Sequence, residues 1–321
     1  MIRTAECVSP MHPDKMCDRI SDALLDLHLQ QDPNSRCAIE TCGGMGEVYI
    51  TGEITSQAVV TRNDFVKVVH DITTDDTINV IININTQSPE ISQGVDSGGA
   101  GDQGIMIGYA CRDNEQYLPQ EYYLSRELNK FVYDKFPYDG KTQVTINGNL
   151  LRVVCSFQNA PTEILEGLVN EFFNKIKEPK ILDIYCNPAG DWSIGGFTAD
   201  AGLTGRKLAV DNYGPRVPIG GGAFSGKDST KVDRSAAYMA RRVAVDILEK
   251  NENANEVYVQ LAYAIGYDQP LQATAVIDGV ETPIKGYDLS PKGIIEFLKL
   301  KEPVFSKSAE FGHMGCGFTW K

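Results

Sequence analysis

The sequence has no long apolar run. Its 321 residues contain no stretch of about 18 consecutive apolar side chains, so no membrane-spanning helix is predicted. Residues 1–6 also lack the apolar core that a secretory signal peptide needs. These two absences lead us to expect a cytoplasmic protein.

Basic residues are in the minority. The chain has 30 Lys and Arg against 43 Asp and Glu, which gives a formal net charge of −13. A general nucleic-acid-binding protein gains affinity by neutralising phosphates, so this balance argues against one. With 42% hydrophobic and 23% charged residues, the composition is that of a globular protein whose length allows two or three domains.

Cysteine pairs at metal-binding spacing are also missing. The chain has eight cysteines, but no two of them form a Cys-x-x-Cys pair. The sequence therefore predicts reduced thiols rather than a zinc site or a disulfide scaffold. We expect each cysteine to be a small buried apolar side chain.

What the chain does contain is a recurring order of predicted elements. Apolar residues near a period of 3.6 predict helices at residues 14–29, 62–72, 119–132, 161–176, 230–248 and 290–300. Alternating or β-branched runs predict strands at residues 37–41, 48–51, 78–84, 105–109, 144–146, 151–154, 181–185, 257–260 and 273–277. The first hairpin is predicted to turn at Gly43 and Gly44, and the second at Asn147 and Gly148.

This order indicates three related subdomains. A helix–strand–strand–helix order begins near residues 14, 119 and 230, so we predict an α/β (α+β) fold with three similar αββα subdomains. Each subdomain would lay its helices on one face of a mixed sheet. The open faces then need cover, which favours burial between two subunits. Coincidence is the alternative, because α/β chains often show such orders.

Two glycine-rich segments match nucleotide-binding motifs only in part. Residues 99–104 are GAGDQG, but a strand rather than a helix is predicted after them, so the dinucleotide-binding interpretation is rejected. Residues 221–228 are GGAFSGKD, whereas a phosphate-binding loop of the Walker type ends in Lys-Ser or Lys-Thr. A Walker-type NTPase is therefore not predicted, although glycine-rich backbone beside Lys227 suits phosphate oxygens.

Positive charge is concentrated around the second of these segments. Residues 206–242 hold eight basic and three acidic residues within a chain whose net charge is −13. This local excess fits a site for a small polyanion. Lys227 and Lys231 are four positions apart at a predicted helix start, so we expect them to point at one ligand. Arg241 and Arg242 are expected on a solvated helix face.

The first helix begins with the sequence HPDK at residues 12–15. Asp14, Asp18, Asp22 and Asp26 recur every four residues, and we expect most of this acidic stripe to face solvent. Asp14 differs, because it lies at the helix start beside a histidine and a lysine. A carboxylate in that place suits Mg²⁺ bound to a polyphosphate.

Together these segments resemble the methionine adenosyltransferase (S-adenosylmethionine synthetase) family. The family motifs are matched in order by HPDK at residues 12–15, SPEISQGVD at 88–96, GAGDQG at 99–104, GLTGRK at 202–207, GGAFSGKD at 221–228 and KVDRSAAY at 231–238. The resemblance extends from about residue 6 to residue 320. Several long motifs in family order are far more specific than any one of them.

The resemblance implies a fold, a reaction and a set of partners. It implies three similar domains in pseudo-threefold arrangement: 1–90, a short mobile lid with the second signature at 91–103, 104–194, and 195–321 with the glycine-rich loop. The methionine sulfur would attack C5′ of ATP to form S-adenosylmethionine, and the triphosphate would then be cleaved to phosphate and pyrophosphate. Two Mg²⁺ and one K⁺ per site are implied. The implied partners are ATP, methionine and further copies of the chain, as a dimer or a dimer of dimers with active sites at the interface.

The resemblance also implies roles for individual residues. The catalytic residues would be His12, Lys227 and Asp102. ATP would contact His12, Asp139, Gly140, Lys141, Asp191, Trp192, Asp200, Arg206, Lys207, Ala223 and Lys227. Methionine would contact Glu53, Gln93, Asp200 and Lys231, while Asp14 and Asp233 would bind Mg²⁺ and Glu40 would bind K⁺.

The chain departs from the family pattern at several positions. Residues 8–15 are VSPMHPDK where VSEGHPDK is common, and Asp191 with Trp192 stand where an Arg-Phe pair is usual. Trp192 still suits stacking on adenine, whereas Asp191 supplies no cation. The segment between Gln93 and Gly99 is several residues shorter than the usual lid, which predicts easier product escape or broader tolerance of methionine analogues.

Two other functions stay open on the sequence alone. Another ATP-dependent phosphotransferase would also use glycines, lysines and carboxylates, but it would not require methionine. A catalytically weak relative that acts as a regulatory subunit is suggested by Asp191 and the short lid. The presence of His12, Asp14 and Lys227 argues against that second alternative.

Overall fold

The computed structural model describes residues 1–87, 98–176 and 181–321 of the chain. Most of the predicted lid, including Gln93, therefore lies outside the described residues. In the part that is described, no helix is long and apolar enough to cross a membrane.

Helices and strands alternate along the chain as the hydrophobic patterns predict. The helices are α1 (Pro13–Gln31), α2 (Arg62–Thr73), α3 (Gln120–Tyr133), α4 (Thr162–Lys175), α5 (Leu208–Asp211), α6 (Val232–Lys250), α7 (Pro291–Leu298) and α8 (Phe305–Ser308). The strands are β1 (Arg3–Val8), β2 (Arg36–Gly44), β3 (Glu47–Thr55), β4 (Asn79–Asn85), β5 (Gly104–Cys111), β6 (Gly140–Asn147), β7 (Leu150–Phe157), β8 (Ile181–Cys186), β9 (Gly202–Leu203), β10 (Glu256–Tyr263), β11 (Gln272–Ile277) and β12 (Val280–Pro283). Every predicted helix and strand overlaps one of these elements.

The described strands form three four-stranded sheets, and each sheet borrows an edge strand from elsewhere in the chain. The strand orders are β4-β3-β2-β9, β1-β6-β7-β8 and β12-β11-β10-β5. β1, which precedes the first unit, pairs with β6 of the second; β5 pairs with β10 of the third, and β9 pairs with β2 of the first. Three similar α/β units are therefore interleaved in a closed cycle.

The third unit differs from the other two in its last strand. In the first two units the last strand follows the second helix and lies parallel to its neighbour, as β4 does with β3 and β8 does with β7. In the third unit β12 instead follows β11 as an antiparallel hairpin and precedes α7. The repeated helix–strand–strand–helix order therefore gains an inserted strand in this unit.

The first helix of each unit packs on two neighbouring strands, one from its own unit and one edge strand that comes from elsewhere in the chain. α1 contacts β2 and β9, α3 contacts β1 and β6, and α6 contacts β5 and β10. The approach is closest at Gly108 on β5, where a Cβ would lie 2.0 Å from the carbonyl oxygen of Ala240 in α6. Apolar side chains such as Ile20, Leu128 and Val243 are fully buried at these contacts.

The first hairpin turns later than its glycines predict. Gly43 and Gly44 lie within β2, and the loop consists of Met45 and Gly46. Both loop residues have positive φ, 52° and 83°, which suits the twist of a two-residue hairpin. The prediction of a turn at Gly43 and Gly44 is wrong because glycine serves packing there: a Cβ on Gly43 would lie 2.5 Å from the Phe197 ring.

The second hairpin is confirmed, with its turn displaced by one residue. Asn147 still pairs with Leu150 at the end of the β6–β7 ladder, so the turn falls at Gly148 and Asn149. Gly148 has a φ of 56°, the conformation that glycine adopts without a steric penalty.

The burial of Arg241 and the exposure of Cys42 both differ from what their residue types predict. Arg241 is fully buried and donates to the backbone oxygens of Tyr109, Gln116 and Tyr117, so its prediction as a solvated residue is wrong. A guanidinium has several donors, which lets backbone carbonyls satisfy it in the interior. Six of the eight cysteines are buried as predicted, but Cys42 is exposed on the open face of β2.

The acidic stripe of α1 faces the interior rather than solvent. Asp14, Asp18, Asp22 and Asp26 have relative exposures of 2%, 0%, 0% and 5%. The prediction that most of the stripe is solvated is therefore wrong. The reason is that backbone N–H groups and buried cations from distant segments satisfy these carboxylates, as described below.

Candidate active site

The start of α1 holds the first group of predicted site residues. His12 is the N-cap of this helix, and its Nδ1 accepts the N–H of Asp14 over 3.2 Å. Pro13 occupies the first turn, where its missing N–H and fixed φ favour helix initiation. The HPDK motif therefore sets the helix start and orients the imidazole ring.

Asp14 is buried and surrounded by donors. Its carboxylate accepts the N–H of Leu203 at 3.0 Å, forms an ion pair with Lys207 and lies 3.5 Å from Nε of Arg206. Burial by itself would raise the pKa of Asp14, but the contacts with Lys207 and Leu203 outweigh it and hold that pKa below its ordinary value. Asp14 is therefore ionised at neutral pH.

His12 is neutral at physiological pH. Burial first, and then the charges of Lys207 and Lys141, lower the pKa of His12 from 6.5 to about 3. Because Nδ1 accepts a hydrogen bond from the backbone, the ring proton resides on Nε2. The side chain thus offers a fixed Nε2–H donor.

A cavity of about 320 Å³ opens beside His12. Six of the predicted ATP-binding residues line it, namely His12, Asp139, Gly140, Lys141, Trp192 and Asp200. Glu6, Gln143 and Val154 also line this cavity but were not predicted, and they lie in one row across β1, β6 and β7. Strand alternation would have found them only if the pairing of β1 with β6 had been known.

Asp139 and Trp192 are held in the cavity wall by neighbouring glycines. The Asp139 carboxylate accepts the N–H of Gly196 at 3.0 Å, and burial raises the pKa of Asp139 despite this bond. A Cβ on Gly195 would lie 2.8 Å from the Trp192 ring, so glycine gives the indole its place. The wall therefore combines a hydrogen-bond acceptor with an aromatic plane.

Asp191 points away from this cavity. Its carboxylate accepts the N–H of Thr162 at 3.0 Å and a side-chain N–H of Asn187 at 3.2 Å. The contacts with Thr162 and Asn187 also lower the pKa of Asp191. Of the unusual Asp191-Trp192 pair, only Trp192 lines the cavity, while Asp191 caps the start of α4.

The glycine-rich loop covers a second charged pair. Nζ of Lys227 lies 2.8 Å from a carboxylate oxygen of Asp233. A Cβ on Gly222 would lie 2.8 Å from Asp233 Oδ2 and 2.9 Å from Lys227 Nζ, and one on Gly221 would lie 2.6 Å from Asp233 Oδ1. The loop backbone therefore passes close over this pair, and a side chain at Gly221 or Gly222 would displace the tips of Asp233 and Lys227.

Lys227 and Lys231 do not share one partner. Lys231 forms an ion pair with Asp228, whose carboxylate also accepts the N–H of Cys37 and that of Thr230, each at 2.8 Å. Asp228 thus ties the loop to β2, a structural role that the Ser or Thr of a Walker loop does not have. Each lysine pairs with a different carboxylate, and the expectation that both point at one ligand stays a prediction.

The loop that carries Arg206 and Lys207 contacts the glycine-rich loop that carries Lys227. A Cβ on Gly205 would lie 2.6 Å from the Cβ of Ala223, so the loop that carries Arg206 and Lys207 packs against the glycine-rich loop. Ala223, predicted to contact ATP, lies at this junction. The two groups therefore belong to neighbouring loops of one surface.

Glu40 and Glu53 lie on the first sheet. Glu40 is opposite Thr51 in the β2–β3 ladder, and Glu53 is opposite Ala38, so both carboxylates project from the same sheet face. Asp102 is exposed in the loop before β5. Gln93, the remaining predicted methionine contact, lies outside the described residues.

A loop at residues 265–267, which was not predicted, is hydrogen-bonded to the second signature. The backbone of Ala100 donates to the oxygen of Tyr267 and accepts from Gly266, both at 2.8 Å. Ile265 in this loop is a large apolar side chain with 58% exposure. A loop has no hydrophobic periodicity, so the sequence pattern could not predict this contact, and only the hydrogen bonds with Ala100 reveal it.

Asp14 and Asp233 are the carboxylates expected to bind Mg²⁺. Within residues 1–87, 98–176 and 181–321, no group of three or more His, Cys, Asp or Glu is placed to hold a metal ion. Asp14 and Asp233 are each accompanied by a lysine. Mg²⁺ commonly binds one or two carboxylates and completes its shell with water and substrate phosphates. These residues fit Mg²⁺ that is shared with a polyphosphate.

A neutral histidine donor and an aromatic plane line one cavity, and paired cations lie on two neighbouring loops, an arrangement that suits an enzyme with a polyphosphate-bearing substrate. Three family models match the chain: the N-terminal domain of S-adenosylmethionine synthetase at residues 1–89, the central domain at 97–192 and the C-terminal domain at 194–321. The chain belongs to the S-adenosylmethionine synthetase family.

Similar full-length proteins agree with this membership. An S-adenosylmethionine synthase of Bifidobacterium adolescentis is 38% identical over 384 aligned positions, which cover 99% of this chain and 95% of that protein. Synthases of Clostridium tetani and Brachyspira hyodysenteriae are 39% and 40% identical, over 97% and 99% of this chain and 93% and 95% of theirs. An alignment of 384 positions exceeds the 321 residues of this chain, so the relatives carry segments that it lacks.

Proposed function

We propose that this chain synthesises S-adenosylmethionine from ATP and methionine and then cleaves the triphosphate to phosphate and pyrophosphate. Its family membership supports this reaction. The observation that carries the proposal is the single cavity at His12, whose wall gathers six residues expected to contact ATP from three separate stretches of the chain.

The first step needs placement more than activation. A thioether sulfur is neutral and already nucleophilic, so no base is required at C5′. Holding sulfur and carbon in line supplies on the order of 7–11 kcal/mol. A cavity with cations and an aromatic plane therefore suffices for this step without a catalytic base.

His12 stabilises the leaving group by donating a hydrogen bond. Its pKa of about 3 keeps the ring neutral at pH 7, and the backbone N–H of Asp14 fixes Nε2–H as the donor. The C5′–O bond breaks as negative charge develops on the departing oxygen. A preoriented donor at that oxygen lowers the barrier without prior proton transfer.

Cations of β6 and of the two loops neutralise the departing polyphosphate. We assign Lys141, Arg206, Lys207 and Lys227 to this role, because they are the cations at the cavity and at the glycine-rich loop. When the polyphosphate binds, Lys207 and Lys227 exchange carboxylate partners for phosphate oxygens. The freed carboxylates then become available to metal ions.

The ion assignments follow from the same exchange. Members of the family use divalent and monovalent cations. We assign two Mg²⁺ to Asp14 and Asp233, where bound Mg²⁺ supplies charge neutralisation to the phosphates, and one K⁺ to Glu40. A carboxylate oxygen on an open sheet face suits a weakly held monovalent ion.

Methionine recognition is assigned to four side chains, of which Asp200 also lines the cavity at His12. Asp200 and Glu53 suit the ammonium group of methionine, and Lys231 suits its carboxylate. We assign Asp102 to the stabilisation of the positive sulfonium of the product. Gln93 completes this set and lies outside the described residues.

The lid remains a proposal, as do the boundaries at residues 1–90, 91–103, 104–194 and 195–321. We propose that the short lid lets product escape easily or admits larger methionine analogues. Lengthening the segment between Gln93 and Gly99 tests this, since unchanged kinetics and an unchanged analogue range would contradict it. A reducing cytoplasm is proposed as the compartment, because all eight cysteines are free thiols.

The open face of the first sheet is proposed as a homodimer interface. Leu203, Cys42, Tyr49 and Ile81 pair in one cross-strand row, and all four side chains are exposed. A row of exposed apolar residues in the middle of a sheet face marks an interaction surface. Glu40 and Glu53 project from the same face, so a second copy would bring its own site residues next to this one, as a dimer or a dimer of dimers.

One incubation tests the proposed function. Purified protein with ATP, methionine, Mg²⁺ and K⁺ is expected to form S-adenosylmethionine, phosphate and pyrophosphate in equal amounts, as read by chromatography. ATP consumption without methionine would instead indicate another phosphotransferase. Binding of ATP without turnover would indicate a regulatory relative.

A further inference from the structure

The buried acidic stripe of α1 contacts the two loops that carry the cations. Asp18 accepts the N–H of Gly205 at 2.8 Å, and Asp22 accepts the N–H of Gly226 at 2.8 Å. Gly205 directly precedes Arg206 and Lys207, and Gly226 directly precedes Lys227. One helix face therefore holds the backbone next to both cation sets.

Both glycines are constrained on their other side as well. Gly205 has a φ of 79° and Gly226 a φ of 82°, in the region that disfavours side chains. A Cβ on Gly226 would lie 1.9 Å from the carbonyl oxygen of Ile39. Each loop is thus confined between α1 and a neighbouring segment, with the aspartate as the polar contact.

Each of the two aspartates pairs with a buried cation. Lys15 lies 2.8 Å from Asp18 and also pairs with Asp211. Arg234 donates to both oxygens of Asp22, at 2.6 and 2.8 Å, and to the backbone oxygen of Lys227 at 3.0 Å. Charge-assisted hydrogen bonds are shorter and stronger than neutral ones, so the loops are held firmly.

We propose that Asp18 and Asp22 are positioning residues for the polyphosphate cations: Asp18 acts through the Gly205–Lys207 segment and Asp22 through the Gly226–Lys227 segment. Neither aspartate contacts substrate. This proposal rests on the proposed function, because it assumes that these cations bind a polyphosphate. Beyond that function, Asp18 and Asp22 determine the positions of the cationic side chains.

The test is a double-mutant cycle read by binding of inorganic tripolyphosphate with Mg²⁺ in a calorimeter. Asp18→Ala is expected to weaken binding at least ten-fold in the wild-type background and less than two-fold in an Arg206→Ala/Lys207→Ala background. In a Lys227→Ala background the effect of Asp18→Ala on binding should persist. The N–H that Asp18 accepts belongs to the loop of Lys207 rather than to that of Lys227, so the two substitutions should contribute independently. A purely structural role would weaken binding equally in all three backgrounds.

Conservative variants keep the test decisive. Asp18→Asn retains an oxygen that accepts the Gly205 N–H, so it should restore at least half of the affinity on a logarithmic scale. Asp22→Ala would leave Arg234 buried without its carboxylate and is avoided, because it is expected to unfold the protein. Asp22→Asn combined with Arg234→Gln keeps a neutral pair, and its loss of affinity should vanish in the Lys227→Ala background.

Asp26 offers a matched control on the same helix face. It accepts the N–H groups of Phe305 and Ser306, at 3.1 and 2.9 Å, rather than those of a cation loop. Asp26→Ala should change tripolyphosphate affinity less than two-fold even if it lowers the melting temperature. A loss as large as that of Asp18→Ala would overturn the proposal.

The outcomes separate this inference from the proposed function. If the wild-type chain binds no tripolyphosphate, the proposed function fails. If it binds tripolyphosphate but the effect of Asp18→Ala is the same with and without Arg206 and Lys207, the function stands and the positioning role is wrong.

Discussion

Asp14 at the start of α1 forms an ion pair with Lys207, which lies 193 positions later in the chain. The carboxylate assigned to a metal ion thus holds a lysine assigned to phosphate. Lys227 and Asp233 repeat this relationship at the glycine-rich loop, 2.8 Å apart. The free site is therefore internally neutralised, and binding of a metal polyphosphate exchanges partners within each pair instead of placing isolated charges.

The exchange predicts a coupling between metal and polyphosphate at Asp14. In the wild-type chain, Mg²⁺ should strengthen tripolyphosphate binding at least ten-fold. Asp14→Asn keeps the acceptor for the Leu203 N–H but removes the charge, so most of this gain should disappear. Without Mg²⁺ the variant should bind tripolyphosphate as tightly as the wild type or more so, because Lys207 is no longer neutralised.

Calorimetric titration with and without Mg²⁺ measures this coupling. Asp71→Asn is the control, since it removes a carboxylate from an exposed pair with Lys67 on α2. A variant at Asp14 that gains as much from Mg²⁺ as the wild type would remove this residue from the metal site.

His12 is predicted to act through its Nε2–H donor. His12→Ala should lower kcat about 100-fold, the usual loss when one preoriented donor is removed. His12→Asn retains an N-cap acceptor, so it should restore the melting temperature without restoring the rate. Equal rates for the wild type and either variant would exclude His12 from the chemistry.

His12 also predicts a dependence of stability on pH. Its pKa falls from 6.5 in an unfolded chain to about 3 in the folded one, so between these values the unfolded state binds more protons. The contribution of His12 to folding stability is therefore fully present above about pH 6.5 and is lost as the pH falls toward 3. Urea unfolding at a series of pH values should show a flatter acid limb for His12→Asn than for the wild type. Parallel curves would contradict the low pKa.

Much of the secondary structure follows from local pattern, but the burial of the α1 aspartates does not. A carboxylate every four residues has the same spacing on a solvated face as on a buried one. The partners that decide the matter, the N–H groups of Gly205 and Gly226, lie 187 and 204 positions away. No local signal encodes them, so the sequence favoured the commoner, solvated interpretation.

The site was predictable to the extent that its motifs are local. His12, Asp139, Lys141 and Trp192 line one cavity, as the family resemblance implies. The row of Glu6, Gln143 and Val154 was missed, because it exists only through the pairing of β1 with β6 across 130 residues or more. Strand exchange between units is a property of the assembled fold, and each strand alone carries only its own alternation.

Glycine positions give a paired prediction on stability. Gly108→Ala would place a Cβ 2.0 Å from the backbone of Ala240, so it should lower the free energy of unfolding by about 3 kcal/mol or more. Gly167→Ala is the matched change on α4, where a Cβ meets nothing within 4 Å. It should raise the free energy of unfolding by about 1 kcal/mol, because alanine is the better helix former. Urea titrations measure both, and equal effects would mean that β5 and α6 do not pack this closely.

The open face of the first sheet predicts an oligomer that a single charge dissociates. Tyr49 has 39% exposure and lies between Cys42 and Ile81 in the apolar row, so a second copy would bury it. Tyr49→Asp places an unpaired charge there and should yield a monomer of about 35.3 kDa by sedimentation, with loss of activity. Ile164→Asp is the control, since Ile164 has 51% exposure on α4, away from this sheet. It should leave the oligomer and the activity unchanged. A wild-type chain that sediments as a monomer, or a Tyr49→Asp variant that stays associated, would show that this face is not the interface.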